Sequence, residues 1–294
     1  MSSKISKREF LAMGASLAAA RAMAQAPAGA GGRGGGAASI PNKTAKTTRL
    51  FKAPGMCPNG LAVAPEGLWV AQQKSATQPA LELGETRNSD EAAWLVDWNG
   101  KLLKTLVTHS RNTSGMAYGN GCVWMGANAQ PEGIFQVDMN SNEVSHRQIP
   151  LNIAGNGGGC HGLQWHDGKL WIAALSLGGL LRVDPVTWVP EVLLPARSDA
   201  KPRLHDLTID DENNIWVVTG TNSTGYADGH AGLSKYDGAT GRLLLTVDLE
   251  PGSCDPHGLV YHDGKLVSCD AGIHPGWKDL DSPSSGYIFT IDIL

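Results

Sequence analysis

Charge is scarce in this chain: Asp, Glu, Lys and Arg make up 18% of its 294 residues, with a formal net charge of −4. Long Lys/Arg runs are missing, which excludes the basic stripe that marks a nucleic-acid binder. Long apolar runs are missing too. Nothing approaches the roughly 18 apolar residues of a membrane span, so no transmembrane segment is expected. Phe (4) and Tyr (5) are few, and both are outnumbered by Trp (9). Cys57, Cys122, Cys160, Cys254 and Cys269 contain no CxxC pair. An odd number allows one or two disulfides in an oxidising compartment and leaves at least one thiol over. Glycine, by contrast, is plentiful at 37 residues, but it lacks the Gly-X-Y period of collagen. The balance describes a soluble, turn-rich, all-β protein with enough chain for a full-sized core.

The N-terminus reads as an address. Ser6-Lys7-Arg8-Glu9-Phe10-Leu11 leads into a short apolar run and then Ala22-Met23-Ala24. Basic segment, apolar segment and small-residue cleavage site stand in the order of a signal peptide. The pattern resembles a twin-arginine export signal with Lys7 in place of the first arginine. Residues 1–24 are accordingly expected to be the signal, 25–46 a flexible Ala/Gly-rich linker, and 47–294 the folded domain. The expected location is the periplasm or the exterior, reached through the twin-arginine machinery, which carries proteins already folded.

Internal repeats decide the fold. Asn59-Gly60-Leu61 is followed by Leu68-Trp69-Val70, Ser114-Gly115-Met116 by Val123-Trp124-Met125, and His161-Gly162-Leu163 by Leu170-Trp171-Ile172. His205-Asp206-Leu207 with Ile215-Trp216-Val217, and His257-Gly258-Leu259 with Leu266-Val267-Ser268, complete the series. Turn residues such as His166-Asp167-Gly168 separate the members of each pair, as in a β-hairpin. A third strand then ends in Asp97, Asp138, Asp184, Asp237 or Asp292, where the aspartate opens a turn. Four antiparallel strands repeating every 44 to 55 residues is the pattern of a propeller blade. The expectation is a five-bladed β-propeller whose repeated Trp packs between blades. The last copy stops at its third strand, so Thr48-Arg49-Leu50-Phe51 is expected to complete that blade and close the ring.

Three insertions, at 72–93, 220–232 and 270–286, follow second strands and share one face, where binding and catalysis concentrate. The same face carries the residues that open the innermost strands: Asn59, Ser114, His161, His205 and His257. Equivalent blade positions are related by rotation, so these side chains should ring the axis. Three imidazoles at one mouth suit a divalent transition metal, zinc first, with copper, iron or nickel in the same donor class. Three protein ligands leave positions open for water or substrate. The predicted metal ligands are His161, His205 and His257, with Asn59 as an oxygen donor or water-binding group. The predicted acid–base and substrate-holding residues are His274, Asp270, Tyr226, His230 and Arg203, the last suited to a carboxylate.

Segments such as Pro256-His257-Gly258-Leu259-Val260 and Gly168-Lys169-Leu170-Trp171 resemble the NHL-type and gluconolactonase-like propeller superfamily, which includes the streptogramin lyases. The resemblance spans about residues 47–294. Within that superfamily, peptidyl-hydroxyglycine amidating lyases hold an axial zinc with three histidines at strand starts similar to His161, His205 and His257, on six blades. Glutaminyl cyclases of the plant type have five blades with similar Gly-Leu and Leu-Trp spacing, plus an acidic residue beside Gly-Leu that these motifs lack. The resemblance implies a metal-dependent lyase acting on a small oxygen-bearing substrate. A lactonase-type hydrolase and a non-catalytic periplasmic binding propeller stay open beside it. No nucleic-acid partner is expected, and the chain is expected to be a monomer.

Overall fold

The computed structural model describes residues 39–74, 91–151, 160–196, 204–219, 231–272 and 284–294. The expected signal peptide, most of the expected linker, and His274, Tyr226, Arg203 and His230 lie outside the described residues. The strands run in chain order from β1 (Asn42–Lys52). The first repeat supplies β2 (Pro58–Ala64), β3 (Gly67–Gln72), β4 (Ala92–Val96) and β5 (Leu102–Val107). The second supplies β6 (Thr113–Gly119), β7 (Cys122–Ala127), β8 (Gly133–Asp138) and β9 (Glu143–Arg147). The third supplies β10 (Cys160–His166), β11 (Lys169–Ala174), β12 (Gly179–Val183) and β13 (Pro190–Pro195). The fourth supplies β14 (Asp206–Ile209), β15 (Asn214–Val218), β16 (Gly232–Asp237) and β17 (Leu243–Leu249). The chain ends with β18 (Leu259–His262), β19 (Lys265–Cys269) and β20 (Tyr287–Ile293). Among the described residues, one 3-10 turn at Leu175–Leu177 is the only regular element that is not a strand.

Each of the first three repeats forms a separate antiparallel sheet of four strands in chain order. The remaining strands make one eight-stranded sheet, ordered β14-β15-β16-β17-β1-β20-β19-β18. Strand β1 accounts for this fusion. It pairs antiparallel with β20, with Thr48 opposite Thr290 and Arg49 opposite Phe289. Its first residues also run parallel to β17, from Asn42 opposite Thr246 to Ala45 opposite Leu249. Among the described residues the first strand begins at Asn42, so residues 42–46 belong to the sheet instead of the expected linker.

Hairpin chemistry sets the register of these sheets. Asp167 and Gly168 (φ 48° and 70°), like Asp263 and Gly264 (φ 47° and 75°), sit in the left-handed region that a type I′ turn requires. The turn aspartates accept backbone N–H groups: Asp97 from Asn99 and Lys101, Asp138 from Asn140 and Asn142, Asp184 from Val186 and Thr187, Asp237 from Ala239 and Thr240. The Asn142 side-chain amide, with these N–H groups, holds the Asp138 carboxyl below the usual carboxylate range, and the Thr240 hydroxyl with its N–H groups does the same for Asp237. Asp292 differs, because β1 lies beside its strand. It accepts the Thr48 hydroxyl of β1 at 2.9 Å.

The repeated Trp fills the space between one repeat and the next. Trp69 packs with Met116 and Val123, Trp124 with Leu163, Trp171 with Leu207 and Ile215, and Trp216 with Leu259 and Leu266. In the fifth repeat Val267 stands at this place, packed with Leu61 and Leu68. The innermost strands follow one another in a cycle: β2 lies beside β6, β6 beside β10, β10 beside β14, β14 beside β18, and β18 beside β2. All five cysteines are buried and unpaired with one another, so the structure holds none of the disulfides that their number allowed.

Candidate functional site

Innermost strands can approach closely around an axis only where side chains leave room. A Cβ added to Gly115 would lie 2.8 Å from the His161 carbonyl oxygen, and one on Gly162 would lie 2.6 Å from the Asp206 Cα. Both neighbours are backbone and cannot rotate away. Gly115→Ala and Gly162→Ala are each expected to cost about 1–3 kcal/mol through overpacking, read as a lowered urea midpoint with unchanged slope.

This close approach brings the strand-start residues together. The His161 and His205 ring centroids are 4.9 Å apart, and those of His205 and His257 are 4.7 Å apart, both edge to face. His205 and His257 are buried, and His161 is half-buried. His205 Nδ1 lies 3.1 Å from the His257 carbonyl oxygen. A carbonyl only accepts, so Nδ1 carries the proton and Nε2 keeps the lone pair in the neutral ring. His257 Nδ1 faces two acceptors on Asp255, the carbonyl at 3.4 Å and a carboxylate oxygen at 3.6 Å, with the same consequence. Imidazoles that ligate metals are oriented by outer contacts of this kind.

The other side of the ring is built from amides and hydroxyls. Asn59 Nδ2 donates to Gln73 Oε1 at 2.7 Å, and Gln73 Nε2 donates to Asn112 Oδ1 at 2.7 Å and Ser114 Oγ at 3.2 Å. Asn128 Nδ2 donates to the same Ser114 oxygen at 2.8 Å. Asn59 Oδ1 is buried and accepts no hydrogen bond from the described residues. A buried amide oxygen in that state costs about 1–3 kcal/mol until a water, ligand or cation meets it. The donor chemistry of the ring thus fits a divalent transition metal: imidazole nitrogens on one side and an orphaned amide oxygen on the other. The positions are less complete. Among the described residues, no group of three or more His, Cys, Asp or Glu stands ready to hold an ion.

Asp270 is the one predicted acid–base residue among the described residues. It is fully buried. Its carboxylate accepts the Gly272 N–H at 2.7 Å, the Asp255 N–H at 3.4 Å and the Ser284 hydroxyl. These contacts tie the two ends of the last insertion together and place Asp270 behind Asp255, which in turn faces His257. Ser114 is a junction of the amide network, accepting from both Gln73 and Asn128.

Several residues of the site escape a motif search. Gln73 and Asn128 each follow directly on a second strand, as the predicted Asp270 does, so their signal was a polar residue at one repeat position. Glu91 had no such signal. Its side chain is buried, and its carboxylate accepts the N–H groups of Lys74 (2.5 Å), Asn112 (2.7 Å) and Thr113 (2.9 Å), bracing the amide side from behind. Burial pushes the Glu91 carboxyl up from 4.5 to about 7, against those hydrogen bonds. A carboxyl raised in the folded state stabilises below its unfolded value and loses that stabilisation as pH rises through the folded value. The protein is therefore expected to be more stable near pH 5 than near pH 8 by up to about 3 kcal/mol from this group. Urea midpoints should show this, and Glu91→Gln should flatten the slope.

With this geometry in hand, comparison with known proteins is informative about fold. The sequence matches no family model and no curated protein. Among solved structures, glutaminyl cyclase of Myxococcus xanthus superposes with a TM-score of 0.57 at 12% identity, covering 87% of this chain and all of that one. A chain of the nidogen/laminin complex gives 0.50 at 13% identity, over 75% of this chain and 74% of its own. A gluconolactonase of Xanthomonas campestris gives 0.47 at 12% identity, over 90% and 99%. The fold is of the propeller type. Identities this low speak to fold alone, and the chemistry must come from the ring itself.

Proposed function

We propose that this chain is an exported, metal-dependent lyase working on the axis of a five-bladed propeller. The cycle of five innermost strands, with β1 completing the last unit, supports the blade count. One observation carries the functional reading: three imidazoles from successive innermost strands stand side by side, two with Nδ1 directed at acceptors. His161, His205 and His257, with Asn59 Oδ1, would hold the metal, zinc first. Bound there, it would supply Lewis acidity toward a hydroxyl or carbonyl oxygen. A histidine-dominated ring favours such an ion over calcium, which takes an all-oxygen shell.

The chain's own groups complete the reading. Asp255 and the His257 carbonyl fix which nitrogen of His257 and of His205 faces the ligand. Gln73 and Asn112 fix the Asn59 amide. Arg203 would hold a substrate carboxylate, and His274, Tyr226 or His230 would move the proton, these three on the strength of their place in an insertion; Asp270, predicted for that role, is instead engaged in holding the ends of its own insertion. The signal-like sequence at the N-terminus supports delivery to the periplasm, where the chain would act as a monomer. An activity screen over hydroxy-acid, hydroxyglycine and lactone substrates tests the class. Elimination from a hydroxy compound is the expected result. Turnover of lactones alone reassigns the chain to the hydrolases, and metal-loaded protein inert toward all three classes is a binding propeller.

A further inference from the structure

We infer that Asp206 is a positioning residue that sets the spacing of all three histidines; the inference rests on the reading of His161, His205 and His257 as the functional centre. Asp206 stands where the other four repeats have Gly60, Gly115, Gly162 and Gly258. Its side chain is fully buried. One carboxylate oxygen accepts the Leu207 N–H at 2.8 Å, and the other accepts the Leu259 N–H at 2.8 Å. The carboxylate also accepts the Leu163 N–H. Leu163, Leu207 and Leu259 each lie two residues beyond a histidine of the trio, on β10, β14 and β18. Each histidine stands at or just ahead of a strand start, two residues before its anchored leucine, so the anchor at the leucine limits where the histidine can stand on the ring. A single carboxylate thereby ties three strands at one level. Gly162 makes the arrangement possible, because a Cβ there would lie 2.4 Å from Asp206 Oδ1.

A second latch lies one step further along. Thr208 Oγ accepts the Tyr261 N–H at 2.9 Å and donates to Gln164 Oε1 at 3.3 Å, joining the same three strands away from the histidines. Asp206→Gly installs the residue that the other repeats use and leaves this latch intact, so the variant should fold. Thr208→Ala removes an inter-strand tie of similar kind and serves as the control.

The experiment compares metal-free wild type, Asp206→Gly, Asp206→Asn and Thr208→Ala by amide hydrogen exchange and side-chain imidazole NMR. In Asp206→Gly, exchange at Leu163 and Leu259 should accelerate at least about tenfold, and the imidazole signals of all three histidines should move. Asp206→Asn, which keeps one acceptor oxygen, should give smaller changes in the same direction; it carries the comparison if the glycine variant does not fold. Thr208→Ala should leave the imidazole signals in place. Imidazole signals unchanged by either Asp206 substitution would overturn the inference and leave Asp206 as a strand tie only. A cobalt(II) titration then addresses the metal reading separately, with about 10–100-fold weaker binding expected in Asp206→Gly, the usual effect of an outer contact. Wild type that binds no cobalt(II) defeats the metal reading, while the metal-free comparison still decides the role of Asp206.

Discussion

Protein purified without chelators is expected to carry about one transition-metal ion per chain, and His205→Ala almost none. His205 is the sensitive position because its ring lies between the other two, 4.9 Å from His161 and 4.7 Å from His257. Alanine there removes one donor and also the edge-to-face support of both neighbours. It further releases the His257 carbonyl, which accepts from His205 Nδ1 at 3.1 Å. His161→Ala and His257→Ala should each weaken binding by more than the roughly 10–100-fold typical of an outer contact. Asp255→Asn should fall within that range, since it acts through the His257 ring. His166 is the control: it sits in a hairpin, bonded to Asn213 Oδ1 at 3.0 Å, and His166→Ala should keep wild-type occupancy. Elemental analysis of the five variants beside wild type reads all of this at once. Calcium alone, no metal in wild type, or an equal loss in His166→Ala would sink the histidine-ring reading.

The fold was legible in the sequence because its determinants repeat. Trp69, Trp124, Trp171 and Trp216 each pack against the following repeat, and a periodic apolar residue reveals a periodic interface. The ring of strand-start residues was legible for the same reason, since rotation about an axis turns an equivalent position into a neighbour. What escaped notice was not periodic. Glu91 lies just ahead of β4 and acts through three backbone N–H groups, an interaction that no residue pattern encodes. Asp206 was visible as a break in the Gly series, yet its meaning depends on a carboxylate reaching two other strands. The parallel pairing of β1 with β17 was hidden because Ala and Lys at 45 and 46 look like linker, and only the tertiary context makes a strand of them. Asp270 could be placed near the ring by counting, but whether a buried carboxylate faces the axis or anchors a loop depends on its donors. Here Gly272 and Ser284 supply them.

Removing β1 is expected to have the largest effect on stability of any change considered. Protein beginning at Ser39 should fold, whereas protein beginning at Ala53 should lose most of the roughly 5–15 kcal/mol that holds a domain together. The strand is sandwiched, with β20 on one side and β17 on the other, so its loss exposes two sheet edges at once. Ala45 is fully buried and stands opposite both Leu249 and Ile293. Three contacts outside the sheet ladder also go: Thr48 to Asp292, Asn42 Nδ2 to Asp248 at 2.8 Å, and the Cys254 N–H to Thr47 Oγ at 2.7 Å. A graded control follows from the last of these. Thr47→Val keeps the strand and leaves the N–H of buried Cys254 without its half-buried acceptor, and should cost about 1–3 kcal/mol. Thermal melts and sizing chromatography separate the outcomes. The short form should be aggregated or molten, and a synthetic peptide of residues 39–52 should restore a cooperative melt in a dose-dependent way. If the short form melts within a few degrees of the long one and stays monomeric, β1 is an ornament on a ring closed by other means. If the peptide rescues it, closure by the N-terminal strand is what joins the two ends of the chain, and folding must finish after the last strand leaves the ribosome.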